Sequence, residues 1–128
     1  MEPGQIEGQY SCLDFYQDLD DPVTQEIIAA YDEGYGSETP ISAAGGATGA
    51  YRGIQLWAAA VEAAGSLDLA DVEEAMDGVS TDRAPGGPAE MVPGTRHCRV
   101  PTHVGIFTAD GIDIERSIDP VPDPTQCL

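Results

Sequence analysis

The sequence predicts an α/β fold in which helices precede a C-terminal β-hairpin. Apolar residues recur at helical spacing from 22 to 36 and again from 50 to 64, and each stretch ends at a glycine. From 100 to 107 the side chains alternate between two faces, and an Asp-Gly turn of the kind favoured in hairpins follows. The 128 residues form one segment, 1–128, which is long enough for a small core.

The first helix has the clearest start. Residues 9–16 indicate a short extended segment before it. Asp21 then places a capping carboxylate before Pro22 at the first helical position, where the missing proline N–H removes no bond. Gly36 is placed to end the helix. The predicted apolar face consists of Val23, Ile27, Ala30 and Tyr31.

The second helix is predicted over 50–64, after a loop or frayed start at 37–49. Its predicted apolar face is Ile54, Trp57, Ala58 and Val61. Its predicted polar face is Arg52, Gln55 and Glu62. Gly65 ends it, and a shorter helix then runs to Gly78. The predicted buried stripe of that shorter helix is Leu69, Val72 and Met76.

The only strong strand signal after the helices is Val100 to Phe107. We expect His103 on its solvated face, and we expect Ile112 and Ile114 in the returning strand. Three prolines from 120 to 124 predict an extended tail over 119–128. Because one hairpin is marginal by itself in water, the sequence predicts a part of a larger fold.

The charge excludes one class of partner. The chain has 23 acidic residues and 5 basic ones, all arginine, for a net charge of −18. Such a surface repels phosphate backbones, so we expect no nucleic-acid binding. No apolar run approaches the roughly 20 residues that span a bilayer. The first residues lack the basic start and apolar middle of a signal peptide, so any targeting segment of its relatives is expected to be missing here.

Residues that could carry catalysis or bind a metal have simpler interpretations. His97, Cys98 and His103 lack the paired, fixed spacing of zinc ligands, and arginines flank the first two. Adjacent residues on an extended chain point to opposite sides, so His97 is poorly placed to activate the Cys98 thiol. The glycine-rich stretch 45–49 lacks a following lysine and is a poor phosphate loop. Three cysteines leave at least one unpaired. We predict no enzyme activity, no metal and no cofactor.

Several segments together resemble the C-terminal part of type I periplasmic solute-binding proteins. The resemblance is closest to urea- and short-chain-amide-binding proteins of ABC transporters and to related amide-sensing regulators, and it extends to the branched-chain amino-acid class. The segments that carry it are 20–22, 27–36, 50–66, 71–76, 85–88, 96–97, 104–111 and 119–124. The resemblance implies a partial type I periplasmic-binding-protein-like fold, in which two α/β lobes close on a ligand and the earlier part of the chain supplies most of the contacts.

The function that this resemblance implies is the solute-binding component of an ABC uptake system, present as a C-terminal fragment or truncated paralogue. Its expected partners are a small polar solute (urea, an amide or an amino acid), a membrane permease and the missing N-terminal part. Phe15 and Tyr51 are the predicted ligand contacts. The alternatives are a cytoplasmic amide-sensing regulator and a non-binding homodimeric interaction module. The resemblance implies a periplasmic location, whereas the missing signal peptide leaves the cytoplasm open.

Overall fold

A computed structural model describes residues 5–38 and 45–120, and within these ranges it contains three helices and six strands. In chain order the elements are β1 (Tyr10–Leu13), α1 (Pro22–Tyr35), α2 (Gly45–Ala64), α3 (Leu69–Ala75), β2 (Ser80–Thr81), β3 (Ala89–Val92), β4 (His97–Arg99), β5 (Thr102–Phe107) and β6 (Ile112–Ile118). β1, β5 and β6 form one antiparallel sheet, which we call the long sheet. β2, β3 and β4 form a second antiparallel sheet, the small sheet.

Helix α1 confirms the predicted start and end. The Asp21 carboxylate accepts a hydrogen bond of 2.8 Å from the backbone N–H of Thr24, and Pro22 occupies the first turn. Gly36 ends the helix with a φ of +83°, a conformation that glycine adopts without strain. The predicted apolar face is half-buried except for Ala30, which is exposed. The residue that α1 buries completely is polar: Thr24.

Helix α2 packs on the side opposite to the one predicted. It begins at Gly45, and its buried residues are Thr48, Arg52, Leu56 and Ala60. Ile54 and Trp57 are 65% and 50% exposed, so the predicted burial of this face is wrong. The reason is that α2 is apolar around most of its circumference, and periodicity alone does not choose which side meets the rest of the chain.

The core connects α2 and α3 to the small sheet. Its centre is Leu56, Ala84 and Ala89, against which Met76, Val79, Met91 and Val100 pack. Val72 of α3 is buried as predicted, but Leu69 is 74% exposed, which contradicts its predicted burial. Leu69 is the first residue of α3, and the core lies against the later turn.

The chain contains more sheet than the sequence predicts. The expected hairpin is confirmed, with Phe107 opposite Ile112. The predicted extended segment at 9–16 contains β1, which pairs with β5, whereas the small sheet was not predicted. His103 is 5% exposed, so its predicted place on a solvated face is also wrong. It shares its side of β5 with Gly105, which lies against Ile112 and the Tyr16 ring and turns that face inward.

Candidate functional site

The loop between β2 and β3 is the point where distant parts of the chain meet. Ala84, Pro85 and Gly86 are buried, although they lie between two strands of the small sheet. Side chains from α1, α2 and β5 all form hydrogen bonds with backbone atoms of this loop. We call Pro85 and Gly86, together with these side chains, the hub.

Two side chains hold Gly86. Its backbone N–H donates to Thr24 Oγ1 at 3.1 Å, which explains why a hydroxyl is buried on α1. Its carbonyl oxygen lies 2.7 Å from His103 Nε2, and a carbonyl only accepts, so Nε2 carries the proton. In the neutral ring, Nδ1 then accepts from the Ser117 hydroxyl at 2.8 Å. The hub therefore fixes one tautomer of His103.

Arg52 forms the charged part of the hub. Its Nη2 lies 2.8 Å from Asp14 Oδ2 and 3.4 Å from the Pro85 carbonyl oxygen. The Arg52 side chain is 9% exposed and that of Asp14 is 27% exposed. The pair is thus mostly removed from water, and each charge depends on the other for compensation. The predicted exposure of Arg52 is wrong because Asp14, 38 residues earlier in the chain, supplies this partner.

Only glycine fits at position 86. The φ of Gly86 is +81°, and a Cβ there would overlap the Asp14 carbonyl oxygen. At Gly87 a Cβ would lie 2.9 Å from Pro101 Cγ, again at positive φ. Gly86 lets the loop approach the segment after β1 closely enough for Arg52 to bridge Asp14 and Pro85, and Gly87 lets it approach Pro101.

A cleft of about 850 Å³ opens beside the hub, between the loop that precedes α1 and strand β6. This volume lies in the range of small-molecule sites. Gly86, Gly87, His103 and Ser117 form its polar inner part. Its apolar lining is Leu19, Pro101, Ile112, Ile114 and Ile118. Its carboxylates are Asp18, Asp20, Asp21, Asp113 and Asp119. The lining contains no arginine, so an anionic ligand would find no counter-charge among these residues.

The surroundings of Cys98 favour the protonated form of its thiol. Desolvation raises its pKa, and this effect outweighs the opposing influence of the Arg52 charge. Because the thiolate is the reactive form, a raised pKa lowers reactivity at neutral pH. His97 and Cys98 lie in the small sheet and His103 lies in the long sheet. Within residues 5–38 and 45–120, no group of three His, Cys, Asp or Glu side chains could hold a metal ion.

The structure does not bring the two predicted ligand contacts together at the cleft. Phe15 is 1% exposed and belongs to the buried core, and Tyr51 is half-buried on α2. Neither lines the cleft. Sequence reasoning missed Asp14, Arg52 and His103. One available signal was that the chain has only 5 basic residues, so an arginine inside an apolar helix required a partner.

Comparison with solved structures identifies the fold. The chain matches a solute-binding protein of an ABC transporter from Rhodopseudomonas palustris BisB5, solved with 3,4-dihydroxybenzoic acid, at 24% identity and a TM-score of 0.76. It matches an amino acid ABC transporter substrate-binding protein from Pseudomonas fluorescens Pf-5 at 20% identity and a TM-score of 0.76. Each match covers 94% of this chain and 33% of the other. A leucine binding protein from Thermotoga maritima MSB8 matches at 22% identity and a TM-score of 0.68, over 90% of this chain and 32% of that one.

The chain therefore spans about a third of the length of these relatives and has part of their fold. No curated protein matches its sequence. None of the helices in the described ranges is both long enough and apolar enough to cross a membrane. The model of the family described as periplasmic binding protein domain matches residues 1–122. The predicted partial fold of type I solute-binding proteins is confirmed, and the chain belongs to the periplasmic binding protein domain family.

Proposed function

We propose that this chain is part of the solute-binding component of an ABC uptake system and acts in the space outside the cytoplasmic membrane. The observation that carries the proposal is the family match over residues 1–122, with 94% of the chain superimposing on solute-binding proteins. Its partners would be a small polar solute and a membrane permease.

The rest of the two-lobed fold is expected to complete the ligand site. Relatives are about three times as long as this chain. Arg52 Nε and Thr48 Oγ1 are buried without a hydrogen-bond partner among residues 5–38 and 45–120, which is unusual for polar atoms inside a protein. Both atoms lie on the inner side of α2, so the packing of this chain leaves two buried polar atoms unsatisfied. The isolated chain should therefore bind solute weakly.

The cleft supports urea or a short-chain amide as the solute class. Its lining carries five carboxylates and no arginine, an arrangement that repels carboxylate ligands and accepts hydrogen bonds from N–H groups. A primary amide or urea offers such donors without a negative charge. A neutral solute also needs fewer contacts to replace lost hydration than an ion does. Tyr51, which is half-buried on α2, remains our proposed apolar contact, whereas Phe15 is 1% exposed and would support the site from the core rather than touch the solute.

The test is titration of the 15N-labelled chain with acetamide, urea, leucine and benzoate, each followed by NMR chemical shifts. We expect weak binding of acetamide or urea, with shifts concentrated at His103, Ile112 and Ser117, and no response to benzoate. Asp113→Asn should alter this response because Asp113 lines the cleft. Glu33→Gln is the matched control, since Glu33 is exposed on α1 and lies outside the cleft lining.

Two outcomes would contradict the proposal at different levels. Stronger binding of benzoate than of acetamide would exclude the solute class. Tight binding of any solute by the isolated chain would show that the site is already complete without the rest of the fold.

A further inference from the structure

Two side chains that can donate a hydrogen bond line the cleft, and they lie opposite each other. His103 on β5 pairs with Ser117 on β6 in the register of the long sheet. The other described residues of the lining are glycine, proline, leucine, isoleucine and aspartate. An ionised aspartate carboxylate only accepts hydrogen bonds, and the remaining side chains neither donate nor accept. The side-chain donors of this lining are therefore the His103 ring and the Ser117 hydroxyl.

Both of these donors are used inside the chain. His103 Nε2 donates to the Gly86 carbonyl oxygen at 2.7 Å, and the Ser117 hydroxyl donates to His103 Nδ1 at 2.8 Å. His103 is 5% exposed, so water competes little for either bond. Ser117 is exposed on the wall of the cleft. A serine hydroxyl has one proton and two lone pairs, so Ser117 Oγ offers only lone pairs to a molecule in the cleft.

The direction of the Ser117 proton is determined by the backbone of the hub. The Gly86 carbonyl shares a peptide group with the Gly87 N–H, which donates to the Ala84 carbonyl oxygen at 3.3 Å. That bond and the φ of +81° at Gly86 hold the carbonyl in place against His103 Nε2. Because a carbonyl only accepts, Nε2 carries the proton, and Nδ1 of the neutral ring is left to accept from Ser117. The hub thus makes Ser117 an acceptor toward the cleft.

An acceptor at this position favours solutes that bring their own N–H groups. An acetamide NH2 group can donate to Ser117 Oγ, whereas acetone places a methyl group of similar size at the same point. A site that accepts a hydrogen bond from its ligand rejects an analogue without the donor, because the acceptor is then left desolvated and unpaired. Urea carries a second NH2 group, and Asp113 on the same strand provides a carboxylate in the same cleft.

We propose that Ser117 determines the solute specificity of the cleft, as the residue whose Oγ accepts a hydrogen bond from an N–H of the solute. His103 is its positioning residue, because the ring takes the hydroxyl proton and keeps it turned away from the solute. This role rests on the proposed function, since the solute is the one assigned to the same cleft. The solute carbonyl faces the open side of the cleft, where water solvates it.

The first experiment determines the tautomer of His103 without any solute. The chain has two histidines, and His97→Gln at an exposed position leaves His103 as the only one. Long-range 15N–1H correlation of the ring at about pH 8.5, where an ordinary imidazole is neutral, should show a protonated Nε2 and an unprotonated Nδ1. Ser117→Ala should shift the Nδ1 resonance and leave Nε2 nearly unchanged. A ring protonated at Nδ1, or an Nδ1 resonance that does not respond to Ser117→Ala, overturns the proposed role of Ser117.

The second experiment compares acetamide with acetone, two molecules of nearly the same shape that differ in their N–H groups. Both are titrated into the 15N-labelled full chain and followed at the Ile112 and Asp113 amides, which belong to the cleft lining. We expect acetamide to bind about tenfold more tightly than acetone. Ser117→Ala should bring the two dissociation constants to within about twofold of each other, whereas Ser117→Thr keeps a hydroxyl and should retain most of the preference. Ser80→Ala is the matched control, since Ser80 is exposed on β2 and lies outside this lining.

The outcomes separate the role of Ser117 from the proposed function. If acetamide binds in the cleft but Ser117→Ala leaves its preference over acetone unchanged, the role of Ser117 is overturned and the proposed function stands. Equal binding of acetamide and acetone to the unaltered chain also overturns this role, even if circular dichroism shows that Ser117→Ala does not fold. If neither molecule shifts the cleft amides, the proposed solute class and the role of Ser117 both fail.

Discussion

The buried Asp14–Arg52 pair allows a quantitative prediction. Asp14→Asn keeps the size of the side chain but leaves the Arg52 charge without compensation. Removing one partner of a fully buried pair costs about 3–5 kcal/mol, and an exposed pair contributes about 0–1 kcal/mol. Because the Arg52 side chain is 9% exposed and that of Asp14 is 27% exposed, we expect a loss of about 2–3 kcal/mol in the free energy of unfolding.

The assay is chemical and thermal unfolding followed by far-UV circular dichroism. For a chain of this length, 1 kcal/mol corresponds to about 3–5 °C, so the melting temperature should fall by about 6–15 °C. Arg52→Met removes the charge and keeps most of the volume, and in that background Asp14→Asn should cost less than about 0.5 kcal/mol. Equal losses from Asp14→Asn in both backgrounds would refute the reasoning.

A second ion pair in the same chain provides the control. Arg83 and Glu26 lie 3.4 Å apart with side chains 59% and 65% exposed. Glu26→Gln should therefore change the free energy of unfolding by less than about 0.5 kcal/mol. If Asp14→Asn has no larger effect than this control, burial does not make the Asp14–Arg52 pair important.

Three further predictions concern the hub and its surroundings. Gly86→Ala should lower the free energy of unfolding by about 2–4 kcal/mol, because its Cβ overlaps the Asp14 carbonyl oxygen at positive φ. Gly53→Ala should instead raise it by up to about 1 kcal/mol in an unfolding titration, because alanine favours the helix and its Cβ meets nothing within 4 Å among the described residues. Thr24→Val should cost about 1–3 kcal/mol because it leaves the Gly86 N–H without an acceptor, and Thr24→Ser should retain most of the stability. Iodoacetamide should alkylate Cys98 more slowly than an unfolded-state thiol at neutral pH. Equal alkylation rates in native and unfolded chains would contradict the raised pKa of Cys98. Because the folded pKa of Cys98 is raised, the free energy of unfolding should fall as the pH rises from the pKa of the unfolded thiol to that of the folded one.

Local signals predicted the elements whose structure depends on neighbouring residues. The Asp21–Pro22 start of α1 and its end at Gly36 are determined within a few residues of chain, and the structure confirms both. The Asp110–Gly111 turn likewise determines the hairpin of β5 and β6. The strands of the small sheet are two to four residues long, too short for periodicity to reveal them.

The hub could not be predicted because its partners are far apart in the sequence. Arg52 appeared to be a surface residue, since nothing near it in the sequence shows that Asp14 lies beside it. His103 appeared to be solvated for the same reason, because its acceptor is a backbone carbonyl at Gly86, 17 residues earlier. For α2 the hydrophobic pattern was recognised correctly, but it describes the face left open by this chain rather than the face that the chain covers.

The hub also determines how this chain should fold. Its hydrogen bonds join residues 62, 33 and 17 positions apart, so none of them can form within a single helix or hairpin. Contacts of high sequence separation slow folding, because loops must close before the contact stabilises anything. The Gly86 amide should therefore exchange its hydrogen only when the whole chain unfolds. Its protection factor then measures global stability directly, whereas amides in the first turn of α3 should exchange through local fraying.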